Sequence, residues 1–206
     1  MELDKRELVR KRDQYRKYIG THIENVRKAW YNMKRSTGCL ATIEMYRGQF
    51  TSLDTVLNKN INIEADARPT INVIDDLITK HDMSKYTKEE FEPYRKHFYP
   101  INDEEKENSE SEFEEAWKHH YENNLHHWDW WSKIGQKNNM PMNYVIEMCC
   151  DWIAMSMVFS DSNAYEWYQN HKLKIDLGSR QRALAEDLLQ KYYMEFKTNG
   201  KPVYLD

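Results

Sequence analysis

The chain has 206 residues, 40% of them hydrophobic and 13% aromatic, which is enough to bury a core and to be read as one domain spanning 1–206. Its 30 basic and 34 acidic residues give a net charge of -4, so no basic field is present to draw in long duplex nucleic acid. The three cysteines, Cys39 and the adjacent Cys149 and Cys150, form neither a disulfide framework nor a paired zinc motif, and they fit a reducing cytoplasm.

The first sixteen residues are crowded with Lys, Arg, Glu and Asp and lack the apolar stretch of a secretion signal. From Leu3 to about Thr37 there is no proline. Leu8, Tyr15, Tyr18, Ile19, Ile23, Val26, Ala29, Trp30 and Met33 recur there at steps of three and four, which predicts a long amphipathic helix. His22 lies one turn from Tyr18, Ile19 and Val26, so it belongs to the core-facing stripe, where a polar ring must find a partner. That partner is either an ordinary hydrogen bond or a metal. Gly38 to Pro69 is less regular: Thr51-Ser52 ahead of Leu53, Val56 and Leu57 predicts a short helix, and Asn58 to Asn62 a loop. Pro69 or Thr70 then opens a helix through Ile71, Val73, Ile74, Leu77 and Ile78, which delivers His81 and Asp82 at its C-terminal end.

Thr87-Lys88-Glu89-Glu90 reads as a capping box before Phe91, Tyr94 and Phe98, in a helix that ends at Pro100. Asn102 to Glu112, rich in Glu, Ser, Asn and Lys, is expected to be a mobile connection around 102–112. The stripe of Phe113, Ala116, Trp117, His120 and Tyr121 turns His120 inward rather than His119, and this helix should end near Asn123-Asn124. The aromatic, histidine-rich run from His126 to Trp131 is too bulky for a solvated loop and should pack over something.

Pro141 sits at the start of the most apolar run, Tyr144 to Phe159. This run is interrupted by Glu147 and Asp151 and is shorter than the ~20 residues needed to span a bilayer, so no membrane segment is expected. Tyr144, Val145, Ile146, Met148, Trp152, Ile153, Met155, Val158 and Phe159 leave almost no polar face. Asp151 is therefore expected to be buried and to need a positive partner, and Glu147 raises the same question more weakly. A short helix carries Tyr165, Trp167 and Tyr168. After a break at Asp176-Leu177-Gly178, Ser179 is expected to cap a last helix through Leu184, Leu188, Leu189 and Tyr192, followed by a tail from Gly200 to Asp206. The pattern is all-α.

The chemistry centres on the His81-Asp82 doublet, because an imidazole and a carboxylate side by side suit transition metals and a carboxylate can bridge two ions. With 6 glycines and no Gly-rich phosphate loop, ATP-driven chemistry has no support. Trp117, Trp128, Trp130 and Trp131 lie near the later histidines, either as core or as a stacking surface for a nucleobase.

Taken in order, His22, His81-Asp82, the later histidines and Asp151 resemble the HD-domain superfamily of metal-dependent phosphohydrolases. Tyr18 to Ile23, His81 to Lys85, Glu90 to Tyr94, Ala116 to His120, Asn124 to Trp128 and Glu147 to Trp152 are similar to an uncharacterised bacterial and phage family of that type, across nearly the whole chain. The resemblance implies an HD-domain-like helical bundle in which His22, His81, Asp82 and Asp151 surround one metal. Asp82 would be the bridge to a second metal, completed by His120 and by His126 or His127. Mononuclear members lack those later histidines, which favours two ions. The implied cofactor is thus one or two divalent transition metals, from Mn, Fe, Zn, Ni or Co. Lys85 resembles the basic residue that follows the doublet and would contact a substrate phosphate, and Glu147 would orient a ligand imidazole or accept a proton. The implied activity is hydrolysis of a small phosphorylated substrate, nucleotides included, by a metal-activated water. The alternatives are a diiron HD-fold oxygenase and a non-catalytic protein that binds a nucleotide or partner on a metal scaffold.

Overall fold

In a computed structural model the described residues are 2–46, 70–159 and 163–198, and they form ten α-helices and no strand. The helices are α1 (Glu2–Arg35), α2 (Thr37–Met45), α3 (Thr70–Lys80), α4 (Phe91–Phe98), α5 (Asp103–Glu107), α6 (Glu110–Asn123), α7 (Trp128–Lys133), α8 (Met142–Val158), α9 (Ala164–His171) and α10 (Ser179–Thr198). Two single-turn 3-10 helices occupy Met83–Tyr86 and Lys137–Asn139. The chain divides into two compact units, Met1–Glu24 with Lys80–Leu125 and Asn25–Thr79 with His126–Asp206. The short helix expected after Thr51, the loop at Asn58 to Asn62 and the tail from Gly200 lie outside the described residues.

The first unit is built on the apolar stripe of α1. Tyr15, Ile19 and Ile23 pack with Phe91 and Tyr94 of α4 and Ala116 of α6, and Tyr18, Tyr99 and Phe113 close the margins. Each large apolar side chain among them contributes about 1.5–3 kcal/mol by leaving water, so this core is what holds α4 and α6 to α1. Arg95 of α4 is also buried. Its guanidinium donates to both oxygens of Glu105 at 2.7 Å and to Glu92 at 3.0 Å, which supplies the charge partners a buried cation requires. Glu105 lies within the stretch expected to be a connection, and that stretch contains α5. Asn102 accepts a hydrogen bond from the Glu105 amide at 2.8 Å, and three acids in the first turn suit the positive end of the helix.

In the second unit α8 packs on α10 and α9, and α10 packs on α2. Ser36 caps α2 by accepting from the Cys39 amide at 3.1 Å, so a helix begins one residue after α1 ends, in a region the sequence reads as irregular. Cys39, Cys149 and Cys150 are free buried thiols. Burial pushes Cys39 up to about 11 and the other two further up, so none is a ready nucleophile. The aromatic run expected to pack over something is helical over Trp128–Lys133, with Trp131 buried 6.4 Å from the ring of Tyr144. A second correction concerns α8: Asp151 is only half-buried, whereas Glu147 is 4% exposed. The helix turns Glu147, and not Asp151, fully into the packed side. Among the described residues no helix is long and apolar enough to cross a membrane.

Candidate metal centre

The geometry of the first unit's polar cluster starts from the end of α3. The helix stops at Lys80, and Asp82 takes a left-handed backbone with φ 55° and ψ 16°, the one non-glycine residue with positive φ among those described. Glycine is the usual occupant of such a position; aspartate is among the few other residues that adopt it, at a cost of about 1 kcal/mol or somewhat more. A reversal right after the helix is therefore combined with a carboxylate at its apex. The 3-10 turn that follows is closed by the Lys85 amide donating to the Asp82 carbonyl at 3.0 Å and the Thr87 amide donating to that of Ser84 at 2.9 Å. This turn folds Lys85 back, and its ammonium donates to Asp82 Oδ2 at 2.6 Å. Lys85 is only 13% exposed, so it is not the free surface lysine that its residue type usually is.

Around Asp82 stand three buried histidines. His22 Nε2 lies 3.3 Å from Asp82 Oδ2, His81 Nε2 lies 3.7 Å from the same oxygen, and the two ring nitrogens are 3.4 Å apart. Donors held about 2.1 Å from a single ion are roughly 3.0 Å apart at octahedral and roughly 3.4 Å apart at tetrahedral angles, so two edges of this triangle have the lengths of a coordination polyhedron and the third, at 3.7 Å, is slightly longer. On the other side of the carboxylate, His120 Nε2 lies 3.4 Å from Oδ1. Asp82 thus directs one oxygen to His22 and His81 and the other to His120. Burial works to raise the pKa of Asp82, but Lys85, His81 and His120, with the hydrogen bond from His22, outweigh it and hold the carboxyl well below its usual range. Burial lowers that of His120 despite the opposing pull of Asp82 and Glu90, which favours the neutral, ligating imidazole.

Behind His120 stands Glu90, fully buried just ahead of α4. His120 Nδ1–H donates to Glu90 Oε2 at 2.8 Å, and His119 Nδ1–H donates to Oε1 at 2.7 Å. The Ser84 hydroxyl lies 3.5 Å from His120 Nδ1 and accepts from Asn124 Nδ2 at 2.7 Å. The capping-box reading of Thr87 to Glu90 misses this: Glu90 makes no side-chain cap bond and turns away from the helix toward the histidines. Two consecutive acids where one suffices for a cap were the sequence signal for Glu90. Ser84 and Asn124 carried no such signal. Trp117, 37% exposed, lies 5.8 Å from the His120 ring.

In the second unit, His126 is buried with Nδ1 3.4 Å from Glu147 Oε1, and the half-buried His127 precedes α7 with its ring 4.2 Å from that of His126. Asp151 follows Glu147 by one turn of α8, on the same side of the helix. The described side chains that enter groups able to hold a metal ion are His22, His81, Asp82 and His120 of the first unit and His126, His127, Glu147 and Asp151 of the second. His119 is not among them.

No curated protein and no solved structure matches the chain. One protein-family model does match, over residues 11–191, and the chain accordingly belongs to the family of unknown function DUF5662.

Proposed function

We propose that this protein is a divalent-metal-dependent phosphohydrolase acting on a small phosphorylated substrate, nucleotides included. The observation that supports it most directly is the triangle of His22 Nε2, His81 Nε2 and Asp82 Oδ2, with edges of 3.3, 3.4 and 3.7 Å. Lone pairs brought so close repel one another unless a proton or a metal ion lies between them, and two imidazoles with a carboxylate suit Mn, Fe, Zn, Ni or Co. His22, His81 and Asp82 Oδ2 would hold one ion, and Asp82 Oδ1 with His120 would provide for a second. An ion bound there lowers the pKa of a coordinated water and offsets the negative charge that develops on phosphate oxygens.

The chain's own side chains supply the rest. Lys85, drawn onto Asp82 by the 3-10 turn, carries the positive charge that would contact a substrate phosphate. Glu147 faces the His126 ring and would set its orientation. The buried, high-pKa thiols give no support for a cysteine nucleophile, which agrees with attack by water.

The test is metal analysis and turnover on the same preparation. Protein loaded in turn with Mn, Fe, Zn, Ni or Co should retain metal and release phosphate from a panel of nucleotides and phosphomonoesters, and Asp82→Asn should abolish both. Lys85→Met should keep its metal while kcat/KM falls by about tenfold or more, the worth of a hydrogen bond to a charged group. Metal titrations of Asp151→Asn, His126→Ala and His127→Ala assay the further ligands that the superfamily resemblance implies. Metal-loaded protein that releases nothing from the panel overturns the proposal. Oxygen uptake by the iron-loaded protein would instead assign the diiron oxygenase reading, which the two-sided use of Asp82 also supports, and nucleotide binding without turnover a non-catalytic one.

A further inference from the structure

We infer that Glu90 is the positioning residue of this centre: its carboxylate fixes the His120 ring in the Nδ1–H tautomer and so presents the Nε2 lone pair toward Asp82. The inference rests on the metal reading of the cluster, and it assigns to Glu90 a task that helix capping does not require.

His119 and His120 are neighbours on α6. Adjacent residues on a helix point about 100° apart, so two neighbouring rings do not ordinarily share one small acceptor. Here they do, because Glu90 meets α6 with one oxygen for each ring: Oε1 takes His119 Nδ1–H at 2.7 Å and Oε2 takes His120 Nδ1–H at 2.8 Å. Both contacts use Nδ1, the nitrogen nearer the backbone. A neutral imidazole carries its hydrogen on one nitrogen only, so a carboxylate bound at Nδ1 leaves Nε2 as the acceptor. In His120 that Nε2 is the atom 3.4 Å from Asp82 Oδ1. For His119, which is 35% exposed, the same bond leads to no ligand position, and it serves to hold the other half of the carboxylate.

The rest of the network keeps Glu90 where this requires. The carboxylate is fully buried, so leaving it without donors would be costly, and it receives two, from His119 and His120. Asn124 gives one amide hydrogen to Ser84 Oγ at 2.7 Å and one to the His120 carbonyl at 2.7 Å, which ties the serine to the end of α6. Ser84 itself lies two residues after Asp82 in the 3-10 turn. The turn that carries Asp82 is thus tied through Ser84 and Asn124 to the end of α6 that carries His120. Partners of this kind, once removed, typically cost a metal site 10–100-fold in affinity, roughly the range expected here.

Glu90→Ala and the near-isosteric Glu90→Gln test the inference, with thermal unfolding to confirm that each variant is folded. The first readout is the His120 tautomer in metal-free protein, from nitrogen-15 chemical shifts of the ring. Wild type should show Nδ1–H, Glu90→Ala should move the hydrogen to Nε2, and Glu90→Gln, which keeps one acceptor oxygen, should fall between. His119→Ala, which leaves the Oε2 bond in place, should keep the wild-type tautomer. The second readout is the affinity for Mn or Zn, which should drop by about 10–100-fold in Glu90→Ala and by less in Glu90→Gln. A Glu90→Ala protein that retains Nδ1–H on His120 and binds metal as wild type does overturns the inference. Failure of the metal reading gives a different result: wild type itself binds no metal, while the tautomer still responds to Glu90.

Discussion

The two units place their acids in opposite ways. In the first unit the polar side chains come largely from places where a helix begins or ends. His81 and Asp82 follow α3, Ser84 and Lys85 occupy a single 3-10 turn, Glu90 precedes α4, and His120 and Asn124 lie at the end of α6. Only His22 lies in mid-helix. In the second unit the acids Glu147 and Asp151 lie within α8, among Val145, Ile146, Met148, Cys149, Cys150 and Ile153, all of which are buried. A helix end leaves backbone groups and side-chain directions uncommitted, so polar atoms can converge there without breaking a ladder of hydrogen bonds. A mid-helix acid inherits its direction from the apolar packing of its neighbours. The first unit is therefore expected to be vulnerable in its chemistry and the second in its packing, and four measurements probe that contrast.

The largest effect should come from Asp82→Asn. Asparagine tolerates the left-handed backbone, so helicity by circular dichroism should persist, while metal affinity falls by more than about 100-fold. Next is Leu188→Ala in α10, at a fully buried position of the second unit. It should cost about 3 kcal/mol in urea unfolding, as cavity-forming substitutions do, and leave metal stoichiometry unchanged. A loss of metal in Leu188→Ala equal to that in Asp82→Asn would break the contrast.

A smaller effect is expected at Arg95→Met, which strips a buried guanidinium from Glu105 and Glu92 and should destabilise by about 2–3 kcal/mol, at or below the lower end for breaking a buried pair because both acids keep some contact with water. The smallest is the pH response of Glu105. The hydrogen bonds from Arg95 hold its carboxyl below the ordinary range, against burial, so its contribution is fully present above the unfolded pKa of about 4.3. That contribution is lost as pH falls through the lower folded pKa. Glu105→Gln should accordingly be less stable than wild type at pH 7, with the gap closing in acid; thermal unfolding between pH 7 and pH 3 checks the sign. A gap that widens in acid would mean that Glu105 is not held by Arg95.

Much of the helical frame could be read from the chain. The helix expected from Leu3 to about Thr37 is Glu2–Arg35, the one opened by Pro69 or Thr70 begins at Thr70, and the one ending near Asn123 ends there. The inward turn of His22 and of His120 over His119 followed from a period of 3.6 residues, because burial on an amphipathic helix is a local property. Local grammar misled where two uses competed for one residue. Glu90 fits a capping box, yet its carboxylate goes to histidines 29 and 30 residues away. Asp151 has apolar neighbours on every side in sequence, yet Glu147 is the more deeply buried acid of α8.

Sequence by itself determined the all-α character, the long helices and the inward turn of His22 and His120, since periodicity, caps and prolines act within a few residues. It also singled out His81-Asp82 as the doublet worth attention. The tertiary structure decided that His22, 59 residues from His81, meets it within 3.4 Å, that Lys85 folds onto Asp82, and that Glu90 stands behind His120. Those distances depend on how the apolar faces of α1, α4 and α6 pack together, and no local spacing of residues encodes that.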